Sequence, residues 1–127
     1  MKKVLVIEDD KPLCWLLERI LGKTYQVIVM NNGFEAWCWL TEGNHPDLII
    51  SDLKMPSLDG IELLENLSNS GLFRDIPVII LSGFEDPAKR KKCLELGARD
   101  YLLKPFEPQQ LLEVVNNAVN EEQKVRA

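Results

Sequence analysis

Residues 4–21 read VLVIEDDKPLCWLLERIL, and the rest of the chain repeats the pattern of this stretch. Its first four residues form an apolar run that does not alternate with polar residues, which is typical of a parallel strand covered on both faces. Acids follow at positions 8–10. Beyond them, apolar residues spaced by three and four positions predict a helix from Pro12 to Leu21, with a core-facing stripe of Leu13, Leu16, Leu17, Ile20 and Leu21.

The same strand and helix pattern recurs along the chain. Further apolar runs of strand length lie at residues 27–30, 48–50, 78–81 and 101–103. Helical stripes follow them, and these comprise Ala36, Trp37 and Leu40; Ile61, Leu64 and Leu67; Cys93, Leu94 and Leu96; and Leu111, Leu112, Val115 and Val119. The alternation predicts an α/β protein, a (βα)5 three-layer sandwich with a doubly wound parallel sheet. The second strand has polar flanks, so we place it at an edge, which gives the flavodoxin-like order 2-1-3-4-5.

Capping residues support the predicted helix boundaries. Asp59 with Glu62 resembles a capping box, and Pro87 and Pro108 stand where the first helical turn tolerates proline. Asp10 is expected to cap the first helix with its side chain. Glycines that follow the predicted helices are expected to adopt the left-handed conformation that ends a helix: Gly22, Gly43, Gly71 and Gly97.

Length and composition indicate one domain. The chain has 127 residues, of which 46% are apolar and 28% charged, and this suffices for a packed core without disulfides. We assign residues 1–122 to the domain and residues 123–127 to a tail or the start of a linker. The apolar run behind Met1 is too short for a signal peptide or a membrane span, so a cytoplasmic location is expected.

Cysteine spacing and charge exclude other classes of protein. The three cysteines, Cys14, Cys38 and Cys93, form no CxxC pair and are expected to be free thiols. The net charge of −5 disfavours binding to nucleic acid. The basic cluster at residues 89–92 is expected to be a solvated helix face.

The side chains that can react or bind a ligand lie at the carboxyl ends of the predicted strands. Ligands bind at this edge in open α/β sheets. Glu8 and Asp9 follow the first strand, Asp52 the third, Ser82 the fourth and Lys104 the fifth, whereas the edge strand contributes none. Converging carboxylates repel one another unless they share a cation or a proton, and oxygen ligands suit Mg²⁺. A carboxylate, a cation, a lysine and a hydroxyl are together the groups that phosphoryl transfer requires.

In their order these motifs resemble those of response-regulator receiver domains, over nearly the whole chain. They are Glu8-Asp9, Ser-Asp-Leu-Lys-Met-Pro around Asp52, Asp59-Gly60, Leu-Ser-Gly at 81–83 and Tyr-Leu-Leu-Lys-Pro-Phe at 101–106. The resemblance implies that Asp52 accepts a phosphoryl group from a histidine kinase or a histidine phosphotransfer protein. It also implies Mg²⁺, or Mn²⁺, held directly by Asp9 and Asp52, by Glu8 through water and by the backbone carbonyl of Lys54.

The resemblance extends to a switch and to its partners. Ser82 is expected to turn toward the phosphoryl group and the ring of Tyr101 to turn inward, altering the surface of helix 4, strand 5 and helix 5. The Lys104-Pro105 bond is expected to be cis. A downstream effector protein or a C-terminal output domain would recognise that surface. We expect no direct contact with nucleic acid or membrane, and a monomer or a phosphorylation-dependent dimer.

Aromatic residues near the predicted site raise two questions of specificity. Trp15 lies off the core stripe of the first helix, beside Cys14. The pair is either a docking site for the kinase or phosphotransfer partner, or Trp15 is covered by neighbouring side chains. Lys54 and Phe84 flank Asp52, and we expect Phe84 to restrict water access and lengthen the lifetime of the phosphorylated form.

Two other functions are compatible with these residues. One is an aspartate-nucleophile phosphatase or mutase, but such enzymes usually carry a second acid two residues after the nucleophile, where this chain has Lys54. The other is a binding scaffold that has the fold without phosphorylation, and the retained acids, hydroxyl and lysine argue against it. We expect a protein that catalyses only its own phosphorylation and dephosphorylation, and no enzyme with turnover.

Overall fold

The computed structural model describes residues 1–54 and 58–126, with side chains as far as Asn120. The strands are β1 (Lys3–Ile7), β2 (Gln26–Met30), β3 (Leu48–Asp52), β4 (Val78–Ser82) and β5 (Asp100–Leu103). The helices are α1 (Lys11–Leu21), α2 (Gly33–Thr41), α3 (Gly60–Ser68), α4 (Pro87–Glu95) and α5 (Pro108–Arg126). Every predicted strand and helix is present. Because α5 runs past residue 122, the domain boundary there stays a prediction.

All strand pairs are parallel, and the order β2-β1-β3-β4-β5 confirms the predicted topology. β1 pairs with both β2 and β3. In the edge strand β2, Gln26 is exposed and the four residues that follow it are half-buried, as the polar flanks of this strand predicted. Strand order reverses between β1 and β3, so the crevice at their carboxyl ends is the switch point where doubly wound sheets bind ligands.

The core lies in two layers, one on each face of the sheet, because successive side chains of a strand point to opposite faces. Leu5 and Ile7 of β1 pack with buried side chains of α2, α3 and α4. Val4 and Val6 pack with α1 and α5 on the other face. This is the predicted three-layer sandwich. These four side chains are fully buried, so the strand that leads to Glu8 and Asp9 is firmly held.

The predicted helical stripes are wrong at two leucines, since Leu16 and Leu94 are 39% and 43% exposed. The buried residues of α1 are Cys14, Leu17 and Leu21. The core-facing side of this helix therefore runs through these three positions and leaves Leu16 outside it. In α4 only Cys93 is buried, because this short lysine-rich helix presents a narrow face to the core. No helix in the described part of the chain is long and apolar enough to span a membrane.

The helix ends agree with the predicted caps in part. Asp59 Oδ1 accepts the N–H of Glu62 at 2.9 Å, as expected. Asp10 occupies the N-cap position of α1, but its side chain makes no capping hydrogen bond, and its own N–H is donated to the Glu8 carboxylate instead. The expectation that the Asp10 side chain caps α1 is therefore wrong.

The glycine predictions hold at two of four positions. Gly43 and Gly97 adopt left-handed backbone with φ of 106° and 103°. Gly22 has φ of −65° and continues the right-handed turn of α1, with its N–H bonded to the Glu18 carbonyl. Gly71 does not belong to the left-handed set, because α3 already ends at Ser68, before this glycine is reached.

Thiol labelling tests the burial of the cysteines. Cys14 and Cys93 are buried free thiols, and Cys38 is half-buried. Burial raises the pKa of Cys93, and burial together with the charge of Glu8 raises the pKa of Cys14 to about 11. Because the thiolate is the reactive form, we expect an alkylating reagent at mildly alkaline pH to modify Cys38 at least about tenfold faster than the other two.

Peptide mass spectrometry after timed labelling would measure these rates. The control is the same reaction in urea, where all three thiols should react at similar rates. Equal rates in the folded protein would contradict the burial of Cys14 and Cys93.

Candidate metal centre

Three carboxylates meet at the switch point. Glu8 and Asp9 directly follow β1, and Asp52 is the last residue of β3. One ligand oxygen from each carboxylate lies within 4.8 Å of the others, so the three side chains are spaced to hold one cation. Glu8 and Asp52 are buried and Asp9 is exposed, so the cluster opens to solvent on one side. The sequence prediction that these acids converge is correct.

Lys104 bridges two of the three acids. Its Nζ lies 3.1 Å from Glu8 Oε1 and 3.1 Å from Asp52 Oδ1. The residue directly follows β5, where its backbone N–H donates to the Ser82 carbonyl at 2.7 Å. The Lys104-Pro105 bond is cis, as the resemblance implied. The side chain of Lys104 is only 23% exposed, so water screens its ion pairs less than those of a lysine on the surface. These ion pairs are correspondingly stronger.

Burial and charge act in opposite directions on the titration of these groups. Burial raises the pKa of Glu8, because its ionised form loses hydration. A hydrogen bond from the Asp10 N–H and the Lys104 ammonium lower this pKa, the Asp52 charge raises it, and the net effect is upward. Burial lowers the pKa of Lys104, but Asp52 and Glu8 outweigh burial and raise it overall. Lys104 is therefore a fixed cation, whereas the ionised form of Glu8 is held at a cost in free energy.

Backbone amides orient the two buried carboxylates. Glu8 Oε2 accepts the Asp10 N–H at 3.1 Å, so both oxygens of this side chain are engaged. Asp52 Oδ1 accepts the Leu53 N–H at 3.0 Å in addition to its ion pair with Lys104. These contacts leave the buried carboxylates little rotational freedom. Contacts within the chain are therefore enough to orient both carboxylates.

Ser82 lies at the end of β4 and is buried. Its hydroxyl donates to the Phe84 carbonyl at 2.9 Å, and its oxygen lies 3.4 Å from the Phe84 N–H. The hydroxyl thereby ties down the start of the connection between β4 and α4. Sequence reasoning selected Ser82 but missed this local partner, which the short spacing between the two residues could have suggested, since serine side chains often bond to nearby backbone.

Tyr101 is already inside the protein, with 5% of its surface exposed. Its hydroxyl is buried without a hydrogen-bond partner among the described residues. The guanidinium of Arg90 on α4 lies 5.9 Å from the centre of its ring. Tyr101 therefore occupies an inner position here, and its role in a switch stays a prediction.

Two of the cations in the basic cluster lie over aromatic rings. Lys89 Nζ is 5.5 Å from the centre of the Phe84 ring, and Lys54 Nζ is 4.6 Å from the same point. Arg90 lies over Tyr101. Such distances fit cation–π contacts. Arg90, Lys91 and Lys92 are exposed, as the predicted solvated face requires, whereas Lys89 is half-buried beside the Phe84 ring. The role of the Lys54 carbonyl stays a prediction.

The predicted docking pair divides into one exposed and one buried residue. Trp15 is 61% exposed, with the Arg19 guanidinium 5.1 Å from its ring centre, so neighbouring side chains do not cover it. Cys14 is 7% exposed, and its thiol donates to the Glu8 carbonyl at 3.2 Å. Cys14 therefore does not belong to the exposed surface, and its assignment to a docking site is wrong. A docking role for Trp15 stays a prediction.

Fold and site together define a class of protein. This is a flavodoxin-like α/β protein with a carboxylate cluster and a lysine at the switch point of its sheet. A family profile described as response regulator receiver domain matches residues 4–116. The chain belongs to this family of two-component signalling domains.

Individual relatives agree with this assignment. The alkaline phosphatase synthesis transcriptional regulatory protein PhoP of Bacillus subtilis (strain 168) is 37% identical over 111 residues, which is 87% of this chain and 45% of that protein. The chain spans between 14% and 53% of the length of the curated relatives it matches. Similarity to them therefore concerns the receiver domain and does not extend to their remaining parts.

Two solved structures are similar over nearly their whole length. The signal receiver domain of a signal transduction histidine kinase from Syntrophus aciditrophicus is 35% identical with a TM-score of 0.87, covering 95% of this chain and 92% of that one. The receiver domain of sensor histidine kinase PA1611 from Pseudomonas aeruginosa PAO1, which has a magnesium ion in its active site cleft, is 27% identical with a TM-score of 0.83, covering 94% and 98%.

Neutralising Glu8 tests the cost of the buried anion. Because the pKa of Glu8 is raised by burial and by Asp52, Glu8→Gln should stabilise the cation-free protein against urea. Added Mg²⁺ should stabilise the wild type, since a ligand that binds only the folded state shifts the unfolding equilibrium, and should stabilise the variant less. Urea unfolding with and without Mg²⁺ measures both effects.

Glu65→Gln is the matched control, because Glu65 is an exposed acid on α3. It should leave both the stability and the response to Mg²⁺ close to those of the wild type. A Glu8→Gln variant that is less stable than the wild type without cation would show that the Glu8 carboxylate is a net stabilising group.

Proposed function

We propose that this chain is a phosphorylation-dependent signalling switch that accepts a phosphoryl group on Asp52 from a histidine kinase or a histidine phosphotransfer protein. The observation that supports this most directly is the position of Lys104, 3.1 Å from both Asp52 and Glu8 within a cluster of three carboxylates. A carboxylate that is buried, oriented and paired with a fixed cation is suited to nucleophilic attack on phosphorus. The chain thereby catalyses its own phosphorylation and dephosphorylation, without turnover of other substrates.

The donor atoms of the site fit a hard divalent cation. The cluster offers only carboxylate oxygens, which suit Mg²⁺ or Mn²⁺, and it contains neither thiolate nor imidazole. Asp9 and Asp52 would hold the ion directly, with Glu8 acting through water and the Lys54 carbonyl as a further ligand. Magnesium in the active site cleft of the similar PA1611 receiver domain supports this assignment. The bound cation would neutralise the acids and the charge on the transferring phosphoryl group.

The residues of this chain perform the rest of the transfer. A carboxylate oxygen of Asp52 forms the new bond to phosphorus while the bond from phosphorus to the donor's imidazole nitrogen breaks, and the imidazole leaves with that electron pair. The Leu53 N–H holds the Asp52 carboxylate in place. Lys104, whose pKa is raised, stays protonated and pairs with a phosphoryl oxygen.

A change at Ser82 and Tyr101 would carry the signal to the surface. The Ser82 hydroxyl would exchange the Phe84 carbonyl for a phosphoryl oxygen, which releases the start of the β4–α4 connection. Tyr101 is already buried, so its gain would be a hydrogen-bond partner for its hydroxyl, which is unpaired in the described state. Arg90, over the Tyr101 ring, links this change to α4. The surface of α4, β5 and α5 would then meet an effector protein or an output domain.

Phosphorylation by a small donor tests the proposal. Incubation with Mg²⁺ and acetyl phosphate should add one phosphoryl group to the wild type, because the acids and Lys104 are already in place to assist transfer. Asp52→Asn should abolish the gain, as it removes the nucleophile. Mass spectrometry of the intact protein measures the product.

Asp75→Asn is the matched control, since it removes an exposed acid outside the site, and it should be phosphorylated like the wild type. Steady release of phosphate from sugar phosphates would instead indicate a phosphatase. An unmodified wild type would indicate a binding scaffold. Either result would overturn the proposed switch.

The lifetime of the phosphorylated form tests the role of Phe84. The ammonium groups of Lys54 and Lys89 both lie over this ring, which is 37% exposed, and we expect the ring to cover one approach to Asp52. Phe84→Asp should shorten the lifetime by about tenfold or more, because a carboxylate admits water and can act as its general base. Loss of the label over time, followed by mass spectrometry, measures the rate.

Phe84→Leu separates bulk from the cation–π contacts, since leucine retains apolar cover without a ring. It should dephosphorylate at nearly the wild-type rate if bulk excludes water. The same rate in Phe84→Asp and the wild type would show that Phe84 does not control access of water to Asp52.

A further inference from the structure

Strand β2 contributes no side chain to the site, but its last residue and the first residue of α2 contact the backbone on both sides of the carboxylate cluster. β2 ends at Met30 and α2 begins at Gly33. The Met30 carbonyl accepts the N–H of Glu8 at 3.0 Å, so the end of β2 holds the backbone of the first acid. Gly33 is buried and faces Leu58, which precedes α3 on the side of the site that carries Asp52.

Gly33 and Leu58 are in direct contact through their backbones. A Cβ at position 33 would lie 2.2 Å from the Leu58 carbonyl oxygen and 2.9 Å from the Leu58 Cβ. Both distances are shorter than any real contact of a Cβ, and the nearer atom belongs to the backbone, which cannot rotate away as a side chain can. Only glycine fits here unless Leu58 or α2 moves.

The start of α2 is the more firmly held of these two partners. Asn32 Oδ1 accepts the Glu35 N–H at 2.8 Å, and Asn32 Nδ2 donates to Glu35 Oε1 at 2.9 Å. These two bonds fix the first helical turn. Ala36, one turn further, is fully buried in the core. A side chain at position 33 would therefore displace Leu58 and leave α2 in place.

Displacement of Leu58 would reach Asp52 through two residues. Asp59 and Gly60 follow Leu58, and the Gly60 N–H donates to the Leu53 carbonyl at 2.9 Å. A Cβ on Gly60 would lie 2.8 Å from the Asp52 carbonyl oxygen, so Gly60 packs directly on the backbone of the acid. The segment from Leu58 to Gly60 is thus seated between Gly33 on one side and Asp52 with Leu53 on the other.

We propose that Gly33 is a positioning residue for the carboxylate site, because its bare Cα is the surface on which the segment from Leu58 to Gly60 is seated beside Asp52. The inference rests on the proposed function of the site, in that it assigns the cluster a cation. Gly33 touches neither the acids nor a bound ion, and acts through Leu58 and Gly60. Groups that hydrogen-bond to metal ligands typically change metal affinity by about 10-fold to 100-fold, and Gly33, which acts one contact further away, is expected at the lower end of that range.

Gly33→Ala tests the proposal with Mg²⁺ alone as the probe. Titration followed by the ¹⁵N–¹H spectrum measures the dissociation constant, a readout that does not depend on phosphorylation. We expect Gly33→Ala to bind Mg²⁺ about 10-fold more weakly than the wild type. Alanine is the better helix former, so a loss would not come from a weakened α2. An unchanged dissociation constant in the folded variant would overturn the proposal.

Two control variants separate positioning from general destabilisation. Gly71→Ala makes the same chemical change where a Cβ would meet nothing within 4 Å, and it should bind Mg²⁺ like the wild type. Leu58→Ala removes packing against the core but keeps the backbone contact with Gly33, so it should be less stable with unchanged affinity. Equal weakening in Leu58→Ala and Gly33→Ala would show a loss of packing and contradict positioning.

If Gly33→Ala does not fold, the wild type alone decides the question. Coupling between sites is reciprocal, so cation binding should shift the Gly33 amide resonance, while the Gly71 resonance should stay in place. An unmoved Gly33 resonance at saturating Mg²⁺ would reject the proposal. A wild type that binds no Mg²⁺ at all would instead remove the proposed function, and the two failures are thereby distinguished.

Discussion

Repulsion among the carboxylates of Glu8, Asp9 and Asp52 is the constraint on which the rest of the site depends. Two of these acids are buried, and their charges would oppose folding if nothing offset them. Lys104 provides the offset, since its ammonium lies at the same short distance from Glu8 and Asp52. One lysine cannot neutralise three acids, and burial together with the nearby charge of Asp52 still raises the pKa of Glu8. The excess negative charge is what gives the cleft an affinity for a cation.

The fold makes this unfavourable cluster possible by fixing the chain on either side of it. Residues 4–7 of β1 are fully buried, the Cys14 thiol donates to the Glu8 carbonyl, and the Met30 carbonyl accepts the Glu8 N–H. Asp52 is held through Leu53, whose N–H bonds to the Leu81 carbonyl of β4 as well as lying near Asp52 Oδ1. Because the surrounding backbone is so well bonded, the acids cannot relax apart. The stability of the sheet therefore supports the chemistry of its edge.

Sequence alone was sufficient for the features that depend on pattern. Apolar runs and their spacing predicted each strand and helix, and the rule for strand ends brought Glu8, Asp52 and Lys104 together. It failed where the outcome depends on three-dimensional contact. The helical period could not decide that Cys14 is buried and Leu16 exposed, because both positions lie near the border of the apolar face. The contact of Gly33 with Leu58 involves backbone atoms, which every residue has. A single glycine is therefore its only trace in the sequence.

Under the proposed function, the structure also indicates why a small chemical change can have an effect at a distance. Lys104 links the site to β4, since its ammonium pairs with Asp52 while its N–H bonds to the Ser82 carbonyl. Ser82 in turn holds Phe84, which lies against Lys89 at the start of α4. A phosphoryl group on Asp52 would alter the ion pair with Lys104 and compete for the Ser82 hydroxyl that now bonds to Phe84. The core layers take no part in the series, so the sheet can stay rigid while its carboxyl edge adopts a second arrangement.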